Sequence, residues 1–297
     1  MSQEKIDLPP IYFNHLYVVL DDRTYRAIQA SDFLRSAFPG REQRSTVTAA
    51  GETWSGTYFY CQENYLEFFG QSTGKHWRSG AQEGWAGLAF SSDRTGGVEA
   101  VRQLLKEFFG YEPFYELRKL NVGGNPVNWF YYVRLAEQIG LDSFDSWVME
   151  YHPDIFKMKG IPLPTSGELS RRTYLSPWSP EDKASSKRGE QRSAPVFSKV
   201  IAATINMGAS QAASYSSILQ ALGYSKKEES GQVLLLAYGF TLTIRLQSED
   251  AAPPGYRLSS LRLEMVRTSV SPITFVFAPG SRLILNEDLT ADWLFGE

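Results

Sequence analysis

Apolar residues run through Ile11-Tyr12-Phe13-Asn14-His15-Leu16-Tyr17-Val18-Val19-Leu20, and Asp21-Asp22 closes the run. That pattern predicts a buried strand leading into a capped helix. Tyr25, Ile28, Leu34 and Phe38 supply a broken apolar stripe for a helix over 21–38, which Pro39-Gly40 ends. Stretches rich in Thr, Val and aromatic residues at 43–49, 52–61 and 64–70 predict three more strands, with a tight turn at Gln62-Glu63-Asn64.

The same order then returns. Residues 84–93 read as a buried strand closed by Asp93. The segment 97–109 places Val98, Val101, Leu104, Leu105 and Phe108 on one helical face, with Gly110 as its stop. Strands are expected at 114–120 and 127–133 around the Gly123-Gly124 turn, a short helix at 134–140, and a strand at 146–151. Both copies therefore read β-α-β-β-β. Each closing strand, Tyr65-Leu66-Glu67-Phe68 and Val148-Met149-Glu150-Tyr151, carries a glutamate between large apolar residues. A duplicated unit of this kind predicts two curved sheets that jointly enclose a cavity.

Residues 161–195 break the pattern with Pro162, Pro164, Pro177, Pro180 and Pro195, and read as an extended linker or a flap. A strand at 200–207, a helix at 210–222 and strands at 231–238, 240–247, 256–266 and 273–277 follow. The expected fold class is α+β: paired βαβββ modules forming curved mixed sheets around a cavity, plus a C-terminal degenerate module pair. The expected organisation is a tail at 1–10, paired modules over 11–160 (11–70 and 84–155), a linker or flap at 161–196, and a C-terminal domain of the same kind at 197–297.

Composition narrows the partners. A net charge of -3 without a basic stripe argues against nucleic acid. The single Cys61 excludes an internal disulfide framework and multi-cysteine zinc sites. Residues 1–10 are polar and lack the apolar core of a signal peptide, and no apolar run is long enough to span a membrane. The expectation is a cytoplasmic protein with a small-molecule partner and no nucleic acid or membrane partner; its oligomeric state stays open, a homodimer included.

The paired modules, the Asn-His-Leu-Tyr-Val-Val opening strand and the Tyr-Leu-Glu-Phe closing strand resemble the vicinal-oxygen-chelate superfamily, the glyoxalase-like, bleomycin-resistance and dioxygenase fold. The sequence is most similar there to uncharacterised glyoxalase-like proteins. The resemblance covers about residues 11–155, and more weakly the part after Phe197. It implies a shared cavity faced by the first and last strands of each module, with one metal-ligand position per strand. Those positions fall on His15, Glu67, Gly87 and Glu150, and Gly87 has no side chain to offer.

Two functions follow as expectations. One is a glyoxalase-like enzyme, a lyase or isomerase acting on a small oxygen-bearing substrate, with His15, Glu67 and Glu150 as catalytic groups and as ligands of a divalent metal (Zn, Mn, Fe, Ni or Mg). The other is a metal-free protein that binds or sequesters a small molecule in an aromatic-lined cavity, with His15 and Glu67 orienting the ligand. Trp54, Tyr58, Tyr60, Trp85, Trp129 and His152 are the expected substrate-binding residues; core packing is the plain alternative for the aromatic ones. His76, in the Lys75-His76-Trp77-Arg78 loop, reads as a cavity-mouth residue or a solvated loop position.

Overall fold

In this computed structural model the described residues are 6–73, 82–136, 143–165, 168–178, 195–248, 255–267 and 271–296. The strands are β1 (Ile11–Leu20), β2 (Gly40–Val47), β3 (Thr53–Tyr60), β4 (Tyr65–Gly70), β5 (Ala86–Ser92), β6 (Tyr115–Val122), β7 (Asn125–Arg134) and β8 (Phe144–Tyr151). They form one eight-stranded sheet in the order β2-β3-β4-β1-β5-β8-β7-β6. The helices α1 (Asp22–Ala30), α2 (Asp32–Ala37) and α3 (Gly97–Phe109) follow the opening strands of the two modules.

The second sheet repeats this arrangement with β9 (Phe197–Gly208), β10 (Ser225–Glu229), β11 (Gln232–Ala237), β12 (Phe240–Gln247), β13 (Leu258–Met265), β14 (Ile273–Val276), β15 (Ser281–Leu285) and β16 (Thr290–Phe295). Its order, β10-β11-β12-β9-β13-β16-β15-β14, is the same as that of the first sheet. Helix α6 (Ala209–Ala221) follows β9. Between β13 and β14 only residues 266–272 intervene, too few for a crossover helix. Among the described residues the degenerate pair is thus complete in strands and short of one helix. Strands β10, β15 and β16 went unread in the sequence because their charged positions dilute the apolar alternation.

The expected helix over 21–38 is two helices. Asp21 caps α1, its carboxylate accepting from Arg23 N and Thr24 N. Ser31 then leaves the helical region (φ -65°, ψ 116°) and its hydroxyl accepts from Leu34 N, which ends α1 and starts α2 in one residue. Of the expected helix at 134–140, Arg134 instead closes β7, and most of the remainder lies outside the described residues.

The two sheets share one core on the helix-bearing side of the first. Phe13 stacks on Phe240 and Phe33 on Phe275, each at 4.1 Å between ring centroids. Trp293 is buried among Phe38, Phe59 and Phe68. Asn64 fixes the register between sheets: its Nδ2 donates to Val200 O and its Oδ1 accepts from Val200 N. This pairing satisfies both backbone groups of Val200 where the sheets meet.

The concave face of the first sheet holds a separate cluster, rich in aromatic residues, that includes Tyr17, Tyr58, Tyr60, Tyr65 and Tyr151. The outer strands of this sheet touch: Thr48 bridges Leu120, and Ala49 N donates to Lys119 O, so the half-barrel closes on itself at that end. At the other end lie α4 (Pro153–Lys159), α5 (Arg171–Leu175) and a 3-10 turn at Ser176–Trp178. Tyr174 stacks on Tyr151 at 4.1 Å and Trp178 on Tyr60 at 3.8 Å. Residues 168–178, part of the segment read as linker or flap, therefore pack as a plug. Arg171 pins it through Asp93 and Glu63. Among the described residues, no helix is long and apolar enough to cross a membrane.

Candidate functional site

A β-bulge builds the site. The pairing of β1 with β5 runs Phe13↔Phe90 and then His15↔Ala89, so Asn14 is an extra residue. Ordinary alternation would send Asn14 and His15 to opposite faces. The bulge instead leaves Phe13 and Leu16 in the shared core and turns both Asn14 and His15 toward the concave side.

That juxtaposition fixes the imidazole. Asn14 Nδ2 donates to Ser91 Oγ at 3.0 Å, so its Oδ1 is the atom facing His15 Nδ1 at 2.8 Å. An amide oxygen only accepts, so Nδ1 carries the hydrogen and Nε2 keeps its lone pair. Nε2 points toward Glu67 Oε1, 3.9 Å away. The ring lies between Tyr65, stacked at 4.4 Å, and Trp147, edge-on at 5.4 Å.

Burial drives both groups toward neutrality. The side chains of His15 and Glu67 are 6% and 13% exposed. Desolvation, helped by the charge of Arg44, lowers the His15 pKa to about 3. Desolvation raises Glu67 to about 7, opposed by Arg44 and by a hydrogen bond from Tyr65. The two are a neutral contact rather than an ion pair, with an acceptor nitrogen facing a carboxyl group poised to gain or lose a proton near neutral pH.

Glu150 does not join them. Its carboxylate accepts from Gly96 N at 2.9 Å and Val98 N at 3.1 Å, on the helix-bearing face. Gly96 sits at the N-cap of α3 with no side chain to offer, so Glu150 caps the helix from a neighbouring strand. The pseudo-symmetry of the sheet names the true counterpart of Glu67. Rotation about the Leu16↔Leu88 pair carries His15 onto Gly87 and Tyr17 onto Ala89. Tyr17 pairs with Glu67 and Ala89 pairs with Trp147, so Trp147 stands where a second carboxylate was expected. Glu150 lies three residues further along, and an odd offset on a strand changes face.

His152 follows Glu150 to the same side. It caps α4, its Nδ1 accepting from Asp154 N, and its ring meets Tyr131 rather than the concave-face cluster. Trp54, Tyr58 and Tyr60 line the concave side on β3, joined by a hydrogen bond from Trp54 Nε1 to Tyr58 Oη. Trp85 packs against the edge of the cluster and Trp129 lies within it, its buried Nε1 without a partner. His76 lies outside the described residues.

A divalent metal does not fit this donor set. Of the four corresponding positions, His15 and Glu67 offer donors, Trp147 does not, and Gly87 has nothing. A Cβ on Gly87 would run into the Tyr17 ring, so the position has no room for a ligand side chain. Among the described residues, no three His, Cys, Asp or Glu side chains come together as an ion site.

Sequence reasoning passed over Arg44. It lies on the concave side of β2, its guanidinium 4.0 Å above the Tyr58 ring and 3.3 Å from Tyr60 Oη. Tyr60 in turn donates to Glu42 Oε2 at 2.8 Å. The second module repeats the trio: Arg118 reaches Tyr132 Oη at 3.4 Å, and Tyr132 donates to Glu116 Oε2 at 2.9 Å. The signal was present as Glu42-x-Arg44 and Glu116-x-Arg118, one on the second strand of each module.

Among solved structures, a hypothetical protein from Staphylococcus aureus is similar at a TM-score of 0.51 and 11% identity, covering 90% of this chain and 95% of that one. Weaker likenesses are a xylose isomerase-like TIM barrel/4-hydroxyphenylpyruvate dioxygenase fusion protein (TM-score 0.46, 10% identity, 91% of this chain and 39% of that one) and a catechol 2,3-dioxygenase (TM-score 0.42, 9% identity, 93% and 84%). At these identities likeness speaks of fold alone. No curated protein matches the chain. The family model of DUF5829, a family of unknown function, matches residues 13–295, and the chain belongs to that family.

Proposed function

We propose that the concave face of the first sheet is a metal-independent site for a small, planar, oxygen-bearing molecule. The observation that carries this reading is the oriented pair at its centre: His15, locked by Asn14 with Nε2 free to accept, facing the buried Glu67 between aromatic walls. A hydroxyl of the ligand donates to His15 Nε2, and the neutral Glu67 carboxyl donates to a neighbouring carbonyl or hydroxyl oxygen. Stacking on Tyr65, Trp147 and their neighbours supplies the apolar contact. Binding is the primary role. The same two groups form an acid and a base in reach of one ligand, so proton transfer on the bound molecule is the chemistry they would support. Gly87 and Trp147, standing where further metal donors would be needed, weigh against the metal-dependent lyase or isomerase.

The test is a fluorescence titration with 2-naphthol in buffer containing EDTA, using the tryptophans as reporters. Saturable quenching is expected, with Kd raised about tenfold in His15→Ala and in Glu67→Gln, the scale of one buried hydrogen bond. Absence of binding, or binding that appears only when a divalent metal is supplied, overturns the proposal.

A further inference from the structure

The two Glu–Tyr–Arg trios are alike in chemistry but not in completion. In the second module Arg118 has a second carboxylate: it ion-pairs with Glu52 across the closed end of the half-barrel, in addition to its link through Tyr132 to Glu116. In the first module Arg44 has no such partner among the described residues. Its one carboxylate among them is Glu42, 3.6 Å from Nη1, and the same Glu42 oxygen already accepts from Tyr60. Arg44 Nε is buried and makes no hydrogen bond. A guanidinium carries five donors in a planar fork, and leaving one buried without an acceptor is costly.

Arg44 also lies within reach of the central pair. It stacks on Tyr58, Tyr58 pairs with Glu67 on the next strand, and Glu67 faces His15. The side chain is 21% exposed, so it is neither sealed in the wall nor freely solvated. Its positive charge is felt at both ends of the pair, favouring the neutral imidazole and the ionised carboxylate.

We infer that the ligand of this cavity is an aromatic acid, whose carboxylate takes at Arg44 the place that Glu52 takes at Arg118. The inference rests on the reading of the concave face as a ligand site and adds the ligand's charge class. The ring lies against the tyrosines and tryptophans, the oxygen substituent meets His15 and Glu67, and the acid group pairs with the open edge of the guanidinium. A lysine at position 44 would not present that edge.

Two probes of the same shape separate the claims: 2-naphthoate, an anion, and 2-naphthol, neutral at pH 6. Both are titrated against the full chain at pH 6 by tryptophan fluorescence. The wild type is expected to bind naphthoate about tenfold more tightly than naphthol. Arg44→Gln is expected to remove that preference, so that the variant binds naphthoate no more tightly than it binds naphthol. Glu42→Gln, at a side chain 37% exposed, removes the competing carboxylate and is expected to tighten naphthoate alone, a result that stands even if Arg44→Gln fails to fold. If both probes bind and neither substitution alters the naphthoate preference, the assignment of Arg44 is wrong and the cavity stands. If neither probe binds the wild type, the cavity reading itself falls and the inference with it.

Discussion

Burial shifts His15 and Glu67 in opposite directions, so their effects on stability cancel over part of the pH range and single substitutions should unmask them. Glu67 titrates at about 7 in the folded chain against 4.5 for an ordinary glutamate. Between those values the folded chain keeps a proton that the unfolded chain has released. Stability therefore falls as pH rises, by about 1.4 kcal/mol per unit and on the order of 3 kcal/mol in all. This contribution is fully present below 4.5 and lost above about 7. His15, held at about 3 against 6.5, acts in reverse. Between those values only the unfolded chain is protonated, so stability rises with pH, by on the order of 5 kcal/mol in all. That contribution is fully present above 6.5 and lost as pH falls toward 3. From pH 4.5 to 6.5 the two slopes oppose each other. Urea unfolding at half-unit intervals across this window provides the assay. Relative to wild type, Glu67→Gln should gain about 1.4 kcal/mol per pH unit and His15→Gln should lose as much. Differences from wild type that are independent of pH in both variants would refute the burial and neutrality assigned to this pair.

Further outcomes follow from the geometry. Glu150→Ala should cost about 1–3 kcal/mol in urea unfolding, because the Gly96 and Val98 amides at the start of α3 lose their acceptor, while 2-naphthol affinity stays at the wild-type value. Gly87→Ala should destabilise the fold, because the new methyl meets the Tyr17 ring; a shift in thermal midpoint measures it. Trp178→Ala should uncover Tyr60 at the plugged end of the half-barrel, and stopped-flow quenching should show faster association of 2-naphthol with little change in the urea midpoint. Cys61 is buried and burial pushes its thiol pKa up, so thiol reagents should label it only as the chain unfolds.

The duplicated strand and helix order was legible because it rests on long apolar runs, which survive differences of detail between copies. Gly87 could likewise be recognised from the repeat as the empty partner of His15. Glu150 misled for a specific reason. Matching the two closing strands by their glutamates slid one of them by three residues, and on a strand that exchanges the concave face for the helix-bearing one. The Asn14 bulge was invisible, since a bulge is defined by the partner strand and not by the residue itself. Without it Asn14 could not lock His15. Arg44 looked like any charged residue on a polar strand; its stacking on Tyr58 depends on residues fourteen positions away, a separation that no local pattern reports. The plug at 168–178 was hidden by its charges and by the prolines in and around it, although Leu169, Tyr174, Leu175 and Trp178 gave it apolar faces to pack.

The central claim is that a ligand meets His15 at its Nε2 without a metal. The most direct measurement is the long-range proton–nitrogen spectrum of the histidine side chains, recorded in EDTA with and without 2-naphthol. The chain has three histidines, so assignment by substitution is short. The account predicts that His15 is neutral, protonated on Nδ1 down to about pH 4, and that its Nε2 resonance moves on binding while that of His152 does not. A His15 protonated on Nε2, or a Nε2 resonance that stays still while the probe binds, would contradict it.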